Sequence, residues 1–217
     1  LKAYIPSSLN EDDYINDPSK AAFTWGQSKG FEDYDKFLLG MSWQHEYGPK
    51  SKQISSIFGS LFDSYEARPF NILEQGTKAI GLRTRFIQNT MLGKNKFQWT
   101  TGIEFFNDQN LIKTFENLYR DYPPGTGSVQ GSLLSDFKER RHYFNVFMEA
   151  KYNLSPKFLI DFGLNLNQTS YNLDDNFNLG SDDFSGNYSF DAILSPKIGL
   201  NYQINRSSML YASIRHG

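Results

Sequence analysis

Two arginines and a glutamate on neighbouring predicted strands are the charged residues best placed to bind a ligand. Arg83 and Arg85 are two residues apart, and Glu104 belongs to the next predicted strand. Side chains two residues apart on a strand point to the same face, so both guanidinium groups and Glu104 are expected on one face. Guanidinium groups bind carboxylates and phosphates well, which makes the arginines candidates for contact with an anionic ligand. A hydrated, ion-paired wall is the alternative interpretation.

A long predicted loop over residues 108–140 contains the second set of candidates. These are Phe115, Tyr119, Arg120 and Tyr122. Aromatic and guanidinium groups on a surface loop can hold a ligand, although a loop that packs on itself is an equally good interpretation. The Gly125-Thr126-Gly127 stretch is not a phosphate-binding loop, because neither a following Lys-Ser/Thr pair nor a helix is indicated.

The sequence predicts no metal site, no cofactor and no enzyme. His45, His142 and His216 are far apart and lack the spacing of metal ligands. The predicted loop 172–191 is acidic, but Leu179 and Ser185 occupy the positions where an EF-hand calcium loop needs Gly and Glu, so a solvated loop is the better interpretation. No nucleophile with a base and no pair of acid/base carboxylates is apparent.

The elements that position these residues are predicted to be strands, because apolar and polar residues alternate over most of the chain after residue 36. Eight strands are expected, at 37–47, 53–66, 77–91, 96–107, 141–153, 158–171, 192–204 and 210–216. Alternation gives a strand one apolar and one polar face. Strands of this length with a polar interior and an apolar exterior predict an all-β fold, an antiparallel transmembrane β-barrel segment.

The connectors between these strands alternate in length. Short connectors are expected at 48–52, 93–94, 154–156 and 205–209, and long ones at 67–76, 108–140 and 172–191. Bacterial outer-membrane barrels have short periplasmic turns and long extracellular loops. Residues 1–36 are polar and irregular, so they are expected to form an extracellular loop region with a short strand near 22–25, and residues 37–217 a partial barrel. Pro196 predicts either a strand that starts after Ser195 or a bulge.

Strand pairing can be predicted from three of the short turns. The expected pairs are Leu82 with Phe105 and Arg83 with Glu104 across 93–94, Met148 with Phe162 across 154–156, and Leu200 with Ile214 across 205–209. All three hairpins then carry apolar side chains on one face and polar side chains on the other. A slip of one residue would exchange the faces, so this agreement supports the strand assignment.

Composition narrows the classes of protein further. The 217 residues suit one large domain or part of a bigger one, and the absence of cysteine excludes disulfides and thiolate metal sites. A formal charge of −2 does not indicate the basic surface that nucleic-acid-binding proteins usually have. Neither a signal peptide at Leu1 nor a closing aromatic strand at the other end is indicated, so a segment of a longer barrel is expected.

Several stretches resemble TonB-dependent receptors, specifically the iron-complex or siderophore receptor branch of Bacteroidetes type. They are residues 31–37, 63–73 and 81–86, and a strand pair at 195–205 and 210–217. The resemblance implies a middle segment of a barrel of about 22 strands. Neither the N-terminal plug that fills such a barrel nor the box that binds TonB is recognised in the sequence.

The resemblance implies an outer-membrane receptor of a Gram-negative bacterium that binds and imports a ferric siderophore or another scarce iron complex. Its implied partners are the iron complex or other small-molecule nutrient, TonB through the plug, and outer-membrane lipid. In such receptors the ligand binds between extracellular loops, plug and lumen wall, where the candidates above are expected to lie. The alternatives are a TonB-dependent receptor for a non-iron nutrient, a small eight-stranded outer-membrane barrel with a structural or adhesin role, and a soluble all-β binding module.

Overall fold

One antiparallel sheet contains most of the chain in the computed structural model, which describes residues 1–216. Within these residues the strands are β1 (Lys2–Tyr4), β2 (Phe31–Gly48), β3 (Ser51–Ala67), β4 (Ile72–Leu92), β5 (Asn95–Asn117), β6 (Gln130–Ser155), β7 (Phe158–Asp175), β8 (Gly186–Ser189), β9 (Ile193–Asn205) and β10 (Ser208–Arg215). Strands that follow each other in sequence pair in space, with one exception. The short β8 pairs only with the end of β7, and β9 pairs with β7 instead of with β8. The predicted all-β barrel segment is confirmed.

The region before β2 is more ordered than the sequence suggests. It contains β1 and two short helices, α1 (Glu11–Asn16) and α2 (Phe23–Ser28). The strand expected near 22–25 is therefore wrong, and β2 begins at Phe31 rather than at 37. Within residues 1–216 no helix is long and apolar enough to cross a membrane.

The hairpin across Gly93 and Lys94 has the predicted pairing. Leu82 lies opposite Phe105, and Arg83 lies opposite Glu104. Gly93 has φ of 64°, a left-handed conformation that glycine adopts without steric cost, so a two-residue turn closes the hairpin without a bulge.

The other two predicted pairings are wrong by two residues. Met148 lies opposite Leu164 rather than Phe162, and Leu200 lies opposite Ala212 rather than Ile214. Both hairpins turn over two residues, at 156–157 and 206–207, and a bulge next to each turn absorbs the extra chain. Because side chains alternate with a period of two, the shift leaves every residue on its predicted face.

The strands are also longer than predicted at the end where the longer loops lie. The loops expected at 67–76, 108–140 and 172–191 shrink to 68–71, 118–129 and 176–192, the last containing β8. In these extensions polar residues occupy both faces, so the alternation that marks a half-buried strand disappears. Backbone pairing continues without it, because hydrogen bonds between strands need no apolar face.

Pro196 lies inside a continuous strand, so both expectations for it are wrong. It pairs with Leu164, and no irregularity interrupts the pairing of β9 with β7. The Pro196 carbonyl accepts a hydrogen bond from His216 N, on the side away from β7. Proline has no backbone N–H, and at this position an N–H would point to that same side, beyond the last residue pair of β9 with β10. The proline therefore removes no hydrogen bond between β9 and β7.

The two faces of the sheet differ sharply. On what we call the outer face, apolar side chains form rows across the strands, such as Ile103, Val146, Leu166 and Leu194. Ile103 is 43% exposed and Leu194 52% exposed, so within residues 1–216 no second layer of protein covers this face. From Phe97 to Phe105, β5 is roughly 26 Å long at about 3.3 Å per residue, and at the usual tilt of about 40° this length spans roughly 20 Å of the apolar band of about 25 Å in outer-membrane barrels.

Aromatic side chains border this apolar face at its short-turn end, where the turns at 49–50, 93–94, 156–157 and 206–207 lie. The ring of Phe86 lies 5.9 Å from that of Tyr47 and 5.6 Å from that of Trp99. His45 is part of the same belt, with its ring 4.5 Å from Tyr47. Amphipathic aromatic rings are typical of the membrane–water boundary, so this belt fits an interfacial girdle.

Candidate functional site

The opposite side of the sheet, which we call the inner face, carries the predicted charged residues. Arg83 Nη2 donates a hydrogen bond to Glu104 Oε1 at 2.7 Å. Glu104 is 19% exposed and Arg83 54% exposed, so the carboxylate is largely covered while the guanidinium remains accessible. Arg85 lies opposite Gly102 on the same face and, within residues 1–216, forms no ion pair. The pairing of Arg83 with Glu104 is confirmed, and Arg85 is the freer cation.

A polar cluster that sequence reasoning missed begins beside this pair and extends toward the end of the sheet with the longer loops. Arg141 Nη2 donates to Asp108 Oδ2 at 2.5 Å, and its guanidinium lies 5.3 Å from the centre of the Phe106 ring. Asp108 is 6% exposed. Asn145, four pairs farther along β6 and opposite Glu104, is 8% exposed. We call Asp108, Arg141 and Asn145 the wall cluster.

Each residue of the wall cluster has an unsatisfied buried atom. Asp108 Oδ1, Arg141 Nε and Asn145 Oδ1 have no hydrogen-bond partner among the described residues. Buried polar atoms are normally paired, because leaving one unpaired costs about 1–3 kcal/mol. Two acceptors and one donor therefore remain buried and unpaired in this part of the inner face.

The sequence contained a partial signal for this cluster. Arg141 and Asn145 are four residues apart in a predicted strand, so they share a face. Asp108 was placed in a loop because β5 was predicted to end at residue 107. Since β5 continues to Asn117, Asp108 is instead held in the ladder opposite Arg141.

Three of the four predicted loop residues lie around a cavity of about 180 Å³ at the long-loop end of the sheet. Tyr119, Arg120 and Tyr122 line it together with Gln27 of α2. Arg120 Nε donates to the Tyr119 hydroxyl at 2.9 Å, and the guanidinium lies 5.4 Å from that ring. Tyr119 is 7% exposed and Tyr122 46% exposed, so Tyr122 and Arg120 are the accessible members.

Residues near the N-terminus hold this loop in place, which the sequence did not indicate. Ser128 Oγ donates to the Ser28 carbonyl at 2.7 Å, and Lys29 Nζ donates to the Gly125 carbonyl at 2.6 Å. Asn117 joins both ends of the loop, because its Oδ1 accepts from the backbone N–H of Val129 at 3.1 Å. The C-terminal end of α2 and the loop therefore form one packed unit.

Phe115 is not a loop residue, which corrects the prediction. It lies in β5 opposite Ile72 and Leu133, on the same face as Phe105. The candidates also form two separate groups rather than one. Glu104 lies thirteen residues before Asn117, where β5 ends and the loop begins, and this separation is roughly 40 Å along the strand. Arg83, Arg85 and Glu104 form the inner-face group, and Tyr119, Arg120 and Tyr122 the loop group.

The acidic loop after β7 is organised by a single carboxylate. Asp175 is 8% exposed, and its two oxygens accept hydrogen bonds from the backbone N–H groups of Phe177, Asn178 and Phe184. Burial alone raises the pKa of Asp175, but the hydrogen bonds from Asn178, Phe177 and Phe184 outweigh it and lower the pKa to about 2. Within residues 1–216 no group of three or more His, Cys, Asp or Glu side chains is placed to hold a metal.

We expect this loop to loosen in acid through Asp175. Its folded-state pKa of about 2 lies below the usual 3.8, so the stabilisation is complete above about pH 4 and disappears as pH falls toward 2. Amide hydrogen exchange at Phe177, Asn178 and Phe184, corrected for intrinsic rates, should show this loss of protection. D175N should lose the protection already at neutral pH.

The neighbouring Asp174 provides the control for that experiment. Its carboxylate pairs with Arg140 at 3.1 Å, and the Asp174 side chain is 37% exposed, more than that of Asp175. D174N removes the same charge but none of the loop hydrogen bonds, so protection should persist. Equal protection in D175N and the unaltered protein would contradict the role assigned to Asp175.

Comparisons with known proteins agree with the sheet described above. The family model for TonB dependent receptor-like β-barrels matches residues 3–217. The chain is similar to the unliganded ferric citrate transporter FecA, with a TM-score of 0.79 and 15% identity over 99% of the chain. It is also similar to the open form of the ferric-catecholate import receptor Fiu from E. coli K12 (TM-score 0.69, 10% identity, 86% of the chain) and to the copper transporter OprC (0.62, 14%, 88%). No curated protein sequence matches significantly.

The chain covers 31% of FecA, 36% of Fiu and 31% of OprC, about a third of the length of the structures it matches. Identities of 10–15% show a shared fold, and they do not show that this chain binds the same cargo as those proteins.

Proposed function

The chain belongs to the TonB-dependent receptor-like β-barrel family, and on that premise we propose that it forms part of the wall of an outer-membrane receptor that imports a ferric siderophore or another scarce iron complex. The family consists of receptors and transporters, and the proposed role involves no catalysis. The observation that carries the proposal is the family match over residues 3–217 together with the two-faced wall.

The same premise supports an orientation in the outer membrane of a Gram-negative bacterium. The exposed apolar rows of the outer face would contact lipid, while the polar inner face would line a hydrated interior. The short turns would lie in the periplasm and the loop group outside the cell. TonB would act through the plug that fills barrels of this family.

The cargo is proposed to be anionic, because accessible cations line the inner face. Arg85 and the accessible guanidinium of Arg83 would contact the ligand or the plug, and Glu104 would orient Arg83. Arg120 and Tyr122 would meet the ligand first, since they lie accessible at the mouth of the loop cavity. A ligand role for Phe115 has no support from its position on the outer face.

One alternative cargo has a specific observation in its favour. The similarity to the copper transporter OprC fits a receptor for a non-iron nutrient. A closed eight-stranded barrel is not supported, because the described sheet is open, with β1 and β2 at one edge and β10 at the other. The exposed apolar rows also speak against a soluble module.

Uptake by cells that produce the complete receptor tests the proposal. Radiolabelled iron should accumulate with at least one ferric chelate from a panel of citrate, catecholate and hydroxamate complexes. Accumulation should stop when the proton gradient is collapsed or TonB is removed. Import of copper but no iron complex would favour the alternative cargo, and import of neither metal would contradict the proposal.

A further inference from the structure

Basic residues are concentrated at the short-turn end of the sheet. Each of the four short turns contains one of them: Lys50, Lys94, Lys157 and Arg206. Lys52, Lys96 and Lys151 add three more on the adjoining strand ends. The acidic side chains nearest to these turns are Glu46, Glu149 and Asp161, and Asp161 is already paired with Lys197 at 3.2 Å. This end of the sheet is therefore strongly electropositive.

A cavity of about 490 Å³ opens within this basic region. Its cationic lining consists of Lys50, Lys96 and Lys151, and its amide lining of Asn89, Gln98 and Asn153. Lys96 and Lys151 share the inner face, because Lys96 follows the parity of Glu104 on β5 and Lys151 lies opposite Gln98. The cavity therefore opens toward the inner face rather than toward lipid.

The three lysines of this cavity have no carboxylate partner. Within residues 1–216 none of them lies within 4.0 Å of an acidic oxygen, whereas Lys113 and Lys197 elsewhere in the sheet are paired at 3.3 and 3.2 Å. Lys151 lies opposite Asp161, but that carboxylate pairs with Lys197, so the charges of the three ammonium groups are only partly compensated. They repel each other, and an anion would relieve that repulsion.

The remainder of the lining gives the cavity the character of a small-molecule site. Met91, which lies opposite Lys96, and Leu159 provide apolar surface beside the amides. Gln98 Nε2 donates to Asn89 Oδ1 at 2.8 Å, which fixes the orientation of both amides. Ligand sites usually measure about 300–1,000 Å³ and combine apolar walls with a few placed polar groups. This combination favours a compact ligand over a long acidic polypeptide.

We propose that this cavity is a second binding site, specific for a small organic polyanion that carries several carboxylate or phosphate groups. The inference rests on the proposed function and extends it, because an anionic cargo that has passed the arginines of the inner face would meet these lysines near the opposite mouth. The site would hold the cargo briefly at the short-turn end before release.

Citrate, a tricarboxylate, is the probe, and the detergent-solubilised complete receptor is the protein to titrate by calorimetry. In K96Q/K151Q we expect citrate affinity to fall roughly tenfold, because two ammonium groups that would pair with its carboxylates are lost. K94Q/K157Q is the matched control, because it removes two charges from turns at the same end of the sheet without altering the cavity lining. Its affinity should remain within about twofold of the unaltered receptor. Raising the salt concentration should weaken citrate binding in the unaltered receptor.

Three results would overturn the proposal. They are equal citrate affinity in both double variants and the unaltered receptor, an equal loss in both double variants, and binding of pentaglutamate without binding of citrate. The last result would assign the cavity to an acidic polypeptide. Iron uptake without lysine-dependent citrate binding refutes the second site alone, whereas lysine-dependent citrate binding without metal uptake refutes the proposed function alone.

Discussion

Leu164→Arg is expected to destabilise the protein in a bilayer by about 2–4 kcal/mol, the cost of a cation at the lipid face of a barrel near the midplane. Leu164 is 48% exposed on the outer face and lies between Met148 and Pro196 of the adjacent strands. These neighbours and the lipid hydrocarbon would surround an arginine side chain at position 164, so its guanidinium would have neither water nor a carboxylate partner. Denaturant titration of the receptor folded into lipid vesicles measures the change in free energy of unfolding.

The adjacent residue provides a matched control for Leu164→Arg. Asn165 lies opposite Phe147 and Ser195 on the inner face. Asn165→Arg introduces the same charge one residue away, where water can solvate it, so the change should stay within about 0.5 kcal/mol. Equal destabilisation by both substitutions would mean that the two faces have the same environment.

Replacing Arg83 and Arg85 together by alanine is expected to weaken binding of an anionic iron complex by at least about tenfold. One hydrogen bond to a charged group contributes about 1.5–3 kcal/mol, and tenfold corresponds to about 1.4 kcal/mol. Equilibrium binding of the chelate identified in the uptake experiment measures the effect. Uptake at low chelate concentration should fall in parallel.

Two further variants separate charge from geometry at these arginines. R83K/R85K keeps both charges but loses the planar guanidinium fork, so intermediate affinity is expected. E104Q removes the carboxylate that holds Arg83 at 2.7 Å and should affect affinity less than the double alanine variant. Unchanged affinity and uptake in the double alanine variant would leave Arg83 and Arg85 as part of a hydrated wall.

Residues within the apolar band were predictable because their environment imposes a period of two. Arg83 and Glu104 were placed opposite each other correctly, since a two-residue turn without a bulge joins their strands. Met148 was paired wrongly by two residues, because its hairpin has a bulge between Asn153 and Ser155. A bulge leaves no clear signature in the alternation, but it changes register without exchanging faces.

Residues beyond the band were much less predictable, because water wets both faces there and the pattern disappears. Asp108 and Phe115 were assigned to a loop although both belong to β5. The hydrogen bond from Ser128 to the Ser28 carbonyl joins residues one hundred positions apart, and no local sequence pattern indicates such a contact. The wall cluster was missed for the same reason, since one of its members lies just past the apparent end of a strand.

The central claim is that lipid contacts one face of this wall and water the other, and site-directed spin labelling tests it most directly. The chain has no cysteine, so single cysteines can be introduced one at a time at residues 144–149 of β6. In lipid vesicles, labels at 144, 146 and 148 should be accessible to oxygen, and labels at 145, 147 and 149 to a water-soluble nickel chelate. Accessibility that does not alternate, or even-numbered labels shielded from both reagents, would contradict the claim.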